Sequence, residues 1–381
     1  MLATTTRRTT VAPAEAGART LVTHCPQAGP GGHDRVSRAN VARRLAEVMH
    51  WHYGGAYDAS ASYAHPLYVV PHDALLTSAA AALGVHGPQQ LFGGVVPHAF
   101  IATKAITHPL VCRDALAPEG WSHAFAENIR DAALRGYTAF DRRDATQAAT
   151  LLLRHGPVRI KSVAGIGGAG QHLVRNASEI GPALDAVGED DLAMSGVAVE
   201  EHLEDSVTYS VGAVTCGGVG IAYCGTQSAV VNPRGHEVYG GSTLDVVRGG
   251  FADLLIAGMP RQRYEAVELA QAYDAAAFAA YPGAYASRRN YDVLFGRDAA
   301  DCLRAGVLEQ SWRIGGASGA EVIALDAFRR DHARTRIRCA TVETYEDDCV
   351  VPAGAFVYYR GLDEHAAPLT KYAIELDGHD A

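Results

Sequence analysis

The chain has 381 residues, 48% hydrophobic and 20% charged, and its 33 lysines and arginines against 42 aspartates and glutamates give a formal net charge of −9. That hydrophobic content supports a sizeable core and excludes a disordered chain. The acidic balance argues against a broad nucleic-acid-binding face, yet leaves room for a small anionic ligand held by a few local cations.

Residues 1–20 read as a loose tail without the apolar core of a signal peptide. Thr20–Thr23 and Leu67–Val70 read as strands, with a helix at Asn40–Trp51 between them. Ser78–Leu83 is a second helix, and Phe100–Val111 mixes β-branched residues around Lys104 until Pro109. This α/β block covers residues 21–120. Trp121–Leu134 is expected to be helical with Gly136 as its C-cap, and Tyr137–Phe140 to be a short strand. Asp144 is the expected cap of a helix reaching His155. Pro157–Ala164 is a strand, residues 165–170 a glycine loop and Gln171–Val174 another strand. A helix starting at Asn176 or Ser178 runs to about Val187, and Val197–Leu203 is a strand. Residues 121–204 read as a small α+β subdomain.

A strand-rich block follows over residues 205–334. Thr208–Thr215 and Val219–Cys224 flank Gly217-Gly218, a hairpin signal. Arg263–Tyr281 is a long helix, and Tyr291–Phe295 and Gly306–Gln310 are strands. Residues 335–381 form an extension with strands at Ala355–Tyr359 and Tyr372–Ile374. No apolar run reaches the ~18 residues that a membrane span needs. The seven scattered cysteines lack CxxC pairs and read as reduced thiols of a cytoplasmic protein.

Glycine is in excess, with 40 residues or roughly 10% of the chain against a usual ~7%. Part of the excess lies in PVRIKSVAGIGGAGQHLV, residues 157–174. Gly165, Gly167 and Gly170 satisfy the dinucleotide fingerprint G-x-G-x-x-G. Two features oppose that reading. Lys161 interrupts a strand that would be apolar in a Rossmann fold, and the segment after the loop is extended rather than helical. Strand, glycine loop, strand fits a flap whose amides cover phosphates, with Lys161 supplying charge. A plain glycine hairpin beside a surface lysine is the alternative. No HExxH, G-x-S-x-G or Walker A motif is present, so the 17 histidines point to no metal or protease site.

The order of the motifs resembles the ATP-grasp superfamily from about Leu91 to Asp326, within an uncharacterised bacterial branch of it. Lys161 is followed by the flap, then by Glu200-Glu201-His202-Leu203 in place of the family's hinge. Arg289-Asn290-Tyr291-Asp292 and Glu309-Gln310-Ser311-Trp312-Arg313 follow in place of its acidic strands. The resemblance implies an α+β / α/β chain of ATP-grasp architecture: an N-terminal α/β domain, a small flap subdomain and a larger strand-rich subdomain. It implies ATP and Mg²⁺ as cofactors. Lys104, Lys161, Gly165, Gly167, Gly168, Gly170 and Gln171 would meet the phosphates. Glu200, Glu201 and Leu203 would line adenine. The family's ribose acid is absent near Val207 and Thr208, with Glu204 as a substitute. Asp292, Glu309 and Ser311 would hold the metal, Ser311 standing where the family has asparagine. Arg289 and Arg313 would stabilise transferring charge, and Arg248 a substrate carboxylate.

The implied reaction joins a small-molecule carboxylate to an amine or thiol through an acylphosphate. A small-molecule kinase and a non-catalytic nucleotide-binding protein are the alternatives, with a Rossmann oxidoreductase behind them. The expected partners are small-molecule carboxylate and amine substrates, with no nucleic acid and no membrane. A homodimer is left open.

Overall fold

The structure, a computed structural model, describes residues 17–25, 32–163 and 170–376. β1 (Thr20–His24), α1 (His33–Met49), β2 (His52–Ala56) and β3 (Leu67–Pro71) open the chain. The three strands are parallel in the order β2-β1-β3. α1 starts seven residues before the expected Asn40. It carries Val41, Leu45, Val48 and Met49 into the core at helical spacing. β4 (Leu75–Leu76), α2 (Thr77–Ala82) and β5 (Gly94–Val96) follow. The mixed stretch around Lys104 becomes two 3-10 turns, Ala99–Ala102 and Lys104–Thr107. Thr103 caps the second by accepting from the Ala105 N–H at 3.2 Å.

Next come α3 (His123–Asn128), β6 (Gly136–Ala139), α4 (Arg142–Leu152), β7 (Val158–Ser162), β8 (Gln171–Val174), α5 (Ile180–Val187), α6 (Glu189–Ser195) and β9 (Val197–Glu201). The strands form an antiparallel sheet ordered β6-β9-β7-β8. α3 is shorter than expected because the following backbone is drawn elsewhere. The Ala132 carbonyl accepts from the Val307 N–H at 2.7 Å. Gly136 opens β6 instead of capping the helix. Asp141, not Asp144, caps α4, its side chain accepting from the Asp144 N–H at 2.7 Å. Asn176 caps a 3-10 turn that leads into α5.

The third block contains β10 (Glu204–Cys216), β11 (Val219–Val231), β12 (Glu237–Arg248), α7 (Phe251–Ile256), α8 (Arg261–Ala280), β13 (Tyr285–Ala286), β14 (Arg288–Arg297), β15 (Leu303–Ser311), α9 (Ser318–Arg330), β16 (Arg336–Thr344), β17 (Phe356–Leu362) and β18 (Pro368–Leu376). Eight strands form one antiparallel sheet ordered β15-β14-β10-β11-β12-β16-β18-β17. Gly217 and Gly218 make the two-residue turn between β10 and β11, both at positive φ. At Gly217 a side chain would also strike the Met49 sulfur at 2.6 Å.

Two cores sandwich this large sheet. On one face α1 and α9 cover Val214, Ile221, Leu244, Ile337 and Cys339. On the other, α7 and α8 cover Val211, Cys224, Tyr291, Val293 and Val307. Beyond α1 and α9, the first face is left open as a cleft. Among the described residues no helix is long and apolar enough to cross a membrane, and no disulfide forms.

Candidate functional site

The cleft contains a cavity of about 790 Å³. Strand alternation decides which side chains enter it, because successive residues point to opposite faces. On β14, Arg288, Asn290 and Asp292 face the cavity. Arg289 and Tyr291 face α8 instead, where Arg289 pairs with Asp274 at 2.9 Å and the Tyr291 hydroxyl donates to the same carboxylate. Arg289 is therefore held behind the sheet, away from the position that its motif suggested. On β15, Glu309 and Ser311 face the cavity, while Gln310 turns back to donate to the Ile101 and Thr103 carbonyls.

Asp292 and Glu309 are direct partners across β14 and β15. Lys104 comes from its 3-10 turn to within 2.7 Å of Glu309. The Gln227 amide, from β11, donates to Asp292 at 2.7 Å. Burial and then the Glu309 charge push Asp292 up to about 7, against the opposing pull of Lys104, Gln227 and Arg288. Two facing carboxylates with such mutual repulsion suit a hard divalent cation, which replaces repulsion with shared coordination. Ser311 also lines the cavity, its carbonyl and hydroxyl facing Arg288 at 3.0 and 3.4 Å.

Lys161 enters from β7. It is 6% exposed and ion-pairs with Glu200 of β9, which is 1% exposed. Buried His108 lies 3.2 Å from the other Glu200 oxygen. Burial alone would raise Glu200, but Lys161 and then His108 hold it down to about 2. Glu200 is thus a partner for Lys161 rather than a group open to a ligand. Glu201 points the opposite way and accepts from the Arg135 N–H at 2.9 Å. The backbone N–H groups of Glu201 and His202 are already bonded to the Arg135 and Pro157 carbonyls. Leu203 is buried against Gly296. Glu204 is exposed and does not line the cavity, whereas Ser206, Val207 and Thr208 do.

Gly165, Gly167 and Gly168 lie outside the described residues. Gly170 stands at positive φ, and its carbonyl accepts from the Ser162 N–H at 3.0 Å, beside cavity-lining Gln171. Arg313 reaches the cavity, 3.8 Å from exposed Asp73. Arg248 does not. Its guanidinium donates to the Phe328, Asp331 and Arg334 carbonyls and stacks on the Phe328 ring, so it fastens the end of α9.

Sequence reasoning passed over several groups. Arg288 is fully buried beneath the cavity floor and pairs with Glu321 of α9 at 2.8 Å. Burial opposes its charge most strongly, but Glu321, Tyr223 and Asp292 together raise its pKa. Tyr223 donates to Glu321 at 2.6 Å, and the Asn290 amide donates to Ser210 and Tyr223. The signal for Arg288 and Asn290 was parity: both share Asp292's face at two-residue steps. His108, Gln227 and Glu321 had no comparable local signal.

A family model described as a protein of unknown function (DUF3182) matches residues 21–373. No curated protein matches the chain. Among solved structures, N5-carboxyaminoimidazole synthetase from Staphylococcus aureus complexed with ADP is similar at 10% identity and TM-score 0.56. That match covers 96% of this chain and 95% of that one. The biotin carboxylase domain of Hydrogenobacter thermophilus 2-oxoglutarate carboxylase, in complex with MgADP, ADP and bicarbonate, gives 12% identity and TM-score 0.54. It covers 94% of this chain and 86% of that one. Phosphoribosylamine–glycine ligase from Thermotoga maritima gives 13% identity and TM-score 0.51, covering 93% and 90%. The fold is that of the ATP-grasp superfamily.

Proposed function

The chain belongs to the DUF3182 family, a family of unknown function with an ATP-grasp fold, and we propose that its cleft is the site of an ATP- and Mg²⁺-dependent ligase joining a carboxylate to an amine or thiol. The observation that carries this reading is the facing pair Asp292 and Glu309, with Lys104 and Lys161 lining the same cavity. The residues fit the groups they would meet. Asp292 and Glu309 would hold Mg²⁺, with the Ser311 hydroxyl as a third oxygen. The bound ion would neutralise charge on the phosphates.

Lys104 would turn from Glu309 toward the triphosphate as Glu309 turns to the metal, and Lys161 would take a phosphate oxygen as a further partner while keeping buried Glu200, so neither carboxylate is stranded. Ser206 and Thr208 offer hydroxyls to ribose in place of a carboxylate. The substrate carboxylate oxygen would attack the γ-phosphorus as the β,γ-bridging bond breaks, giving an acylphosphate and ADP. The amine or thiol would then add to the acyl carbon, lose its proton and expel inorganic phosphate. Arg313 is the predicted arginine that reaches the cavity and would offset charge on the acyl oxygen. Of the residues named at the sequence level, Arg248, Arg289, Glu200, Glu201, Leu203 and Glu204 do not line the cavity and are given no contact with a ligand here.

The test is product analysis with Mg-ATP and candidate carboxylate and amine pairs. An amide or thioester with stoichiometric phosphate supports the ligase. A stable phosphoester would instead identify a kinase, and nucleotide binding without any turnover would overturn the enzymatic reading.

A further inference from the structure

Past the metal pair the cavity continues into a recess built from chain segments far apart in sequence. Arg313 follows β15, two residues beyond Ser311. Arg38 and Asp34 stand one turn apart on the first half of α1, and Glu343 and Lys371 come from β16 and β18. Lys371 is only 4% exposed and bridges Glu343 at 2.9 Å and Asp34 at 3.3 Å. His33 lies 3.2 Å from Asp34 and 2.9 Å from Glu364.

The charges in this recess are sorted by sign. At its inner end Asp34 and Glu343 line the recess and face Lys371, while His33 is paired with exposed Glu364, which lies outside it, so one net negative charge remains. Nearer the metal pair, Arg38 and Arg313 face one exposed carboxylate, Asp73, 72% accessible, leaving one net positive charge. Burial first, and then repulsion from the Arg313 guanidinium, lowers Arg38 to about 10. Like charges held together beside a cavity are relieved by an anion between them. A recess positive toward the metal and negative at its inner end matches a ligand that is negative at one end and positive at the other.

We propose that this recess holds an α-amino acid, its carboxylate between Arg38 and Arg313 facing Asp292 and Glu309, and its ammonium at Asp34 and Glu343. This rests on the ligase reading and names its substrate class. The α-carboxylate is then the group that is activated. Asp34 and Arg38, one helical turn or about 6 Å apart on one face, would grip ammonium and carboxylate of the same molecule. The side chain would extend along Tyr239, Tyr345 and Tyr358, which line the same cavity.

The experiment is calorimetry on the full chain, first with Mg²⁺ and the non-hydrolysable nucleotide AMP-PNP, then with each L- and D-amino acid as probe. At least one amino acid is expected to bind. Its deaminated acid and its decarboxylated amine are each expected to bind at least tenfold more weakly. Asp34→Asn and Arg38→Gln are each expected to weaken the amino acid tenfold or more, with AMP-PNP affinity within twofold of wild type. Melting temperatures check that the variants fold, and the paired probes decide on wild type alone. Failure of every amino acid to bind, or equal binding of the deaminated or decarboxylated probe, overturns the proposal. If AMP-PNP itself does not bind, the nucleotide reading fails separately, and the same titrations on nucleotide-free protein still decide the recess.

Discussion

Replacing Asp292 by Asn removes a carboxylate that the folded chain ionises only with difficulty. Its rise from 3.8 to about 7 reflects burial first and Glu309 second. At about 1.4 kcal/mol per pH unit, that displacement is worth about 4 kcal/mol once both states are ionised. Water in the cavity screens the charge, so about 2 kcal/mol is the expected effect. The sign follows from linkage. The folded state holds this proton more tightly than the unfolded chain does. The ionisation penalty is therefore absent below pH 3.8, grows as pH rises, and levels off above about 7. Asparagine has no charge to ionise and can still accept from Gln227. Metal-free Asp292→Asn should therefore gain stability over wild type as pH rises, by about 1 kcal/mol at pH 5 and about 2 kcal/mol at pH 8. Urea unfolding at both pH values, with chelator present, measures this. A constant advantage, or one that shrinks toward pH 8, would refute the account of this carboxylate.

Lys161→Met should weaken Mg-ATP binding about 10- to 100-fold by calorimetry. Because it also strands Glu200, the fold is best protected in Lys161→Met/Glu200→Gln, which should show the same loss. Glu309→Gln should abolish Mg²⁺-dependent turnover while adenine-nucleotide affinity without metal persists; normal turnover would remove it from the metal site. Glu321→Gln leaves the buried Arg288 guanidinium without a counter-charge and should cost about 3–5 kcal/mol in chemical denaturation. Arg289→Met should leave Mg-nucleotide affinity within twofold of wild type while lowering the melting temperature, since Asp274 loses its counter-charge behind the sheet and keeps only the Tyr291 hydroxyl.

The sequence was most readable where local pattern and tertiary role agree. Lys161 inside a strand, the extended segment after the glycine loop and the order of the acidic motifs led to the fold. Asp292 and Glu309 had strand patterns around them, and their direct pairing fits those patterns. The gaps have physical causes. β12 hides because Gly240-Gly241 and polar residues interrupt it, yet its pairing with β11 and β16 makes it a central strand. α9 hides because its first turn, Ser318-Gly319-Ala320, reads as a small-residue loop. Those small side chains are what allow it to lie against β16 and β18; a Cβ on Gly319 would meet Ala373 and Tyr358 at 3.0 Å. Arg289 was chosen over Arg288 by motif position, when alternation from Asp292 favours 288. Arg248 carries the same kind of charge as a carboxylate clamp, and only its carbonyl partners distinguish a fastening from a binding role.

The large sheet does not follow chain order: β16 lies beside β12, and β18 separates β16 from β17, the opposite edge from β15. The walls of one cavity are consequently drawn from residue 33 to residue 371. Contacts of such sequence separation form late, because loop closure is costly before the partners reward it. During synthesis, a ribosome-bound chain that has already made Asp292 and Glu309 still lacks the strand carrying Lys371. Asp292 and Glu309 are therefore made before Glu343 and Lys371 can join them. The cleft reaches its final shape only after β18 has emerged and inserted, so a chain still being made lacks one of its walls.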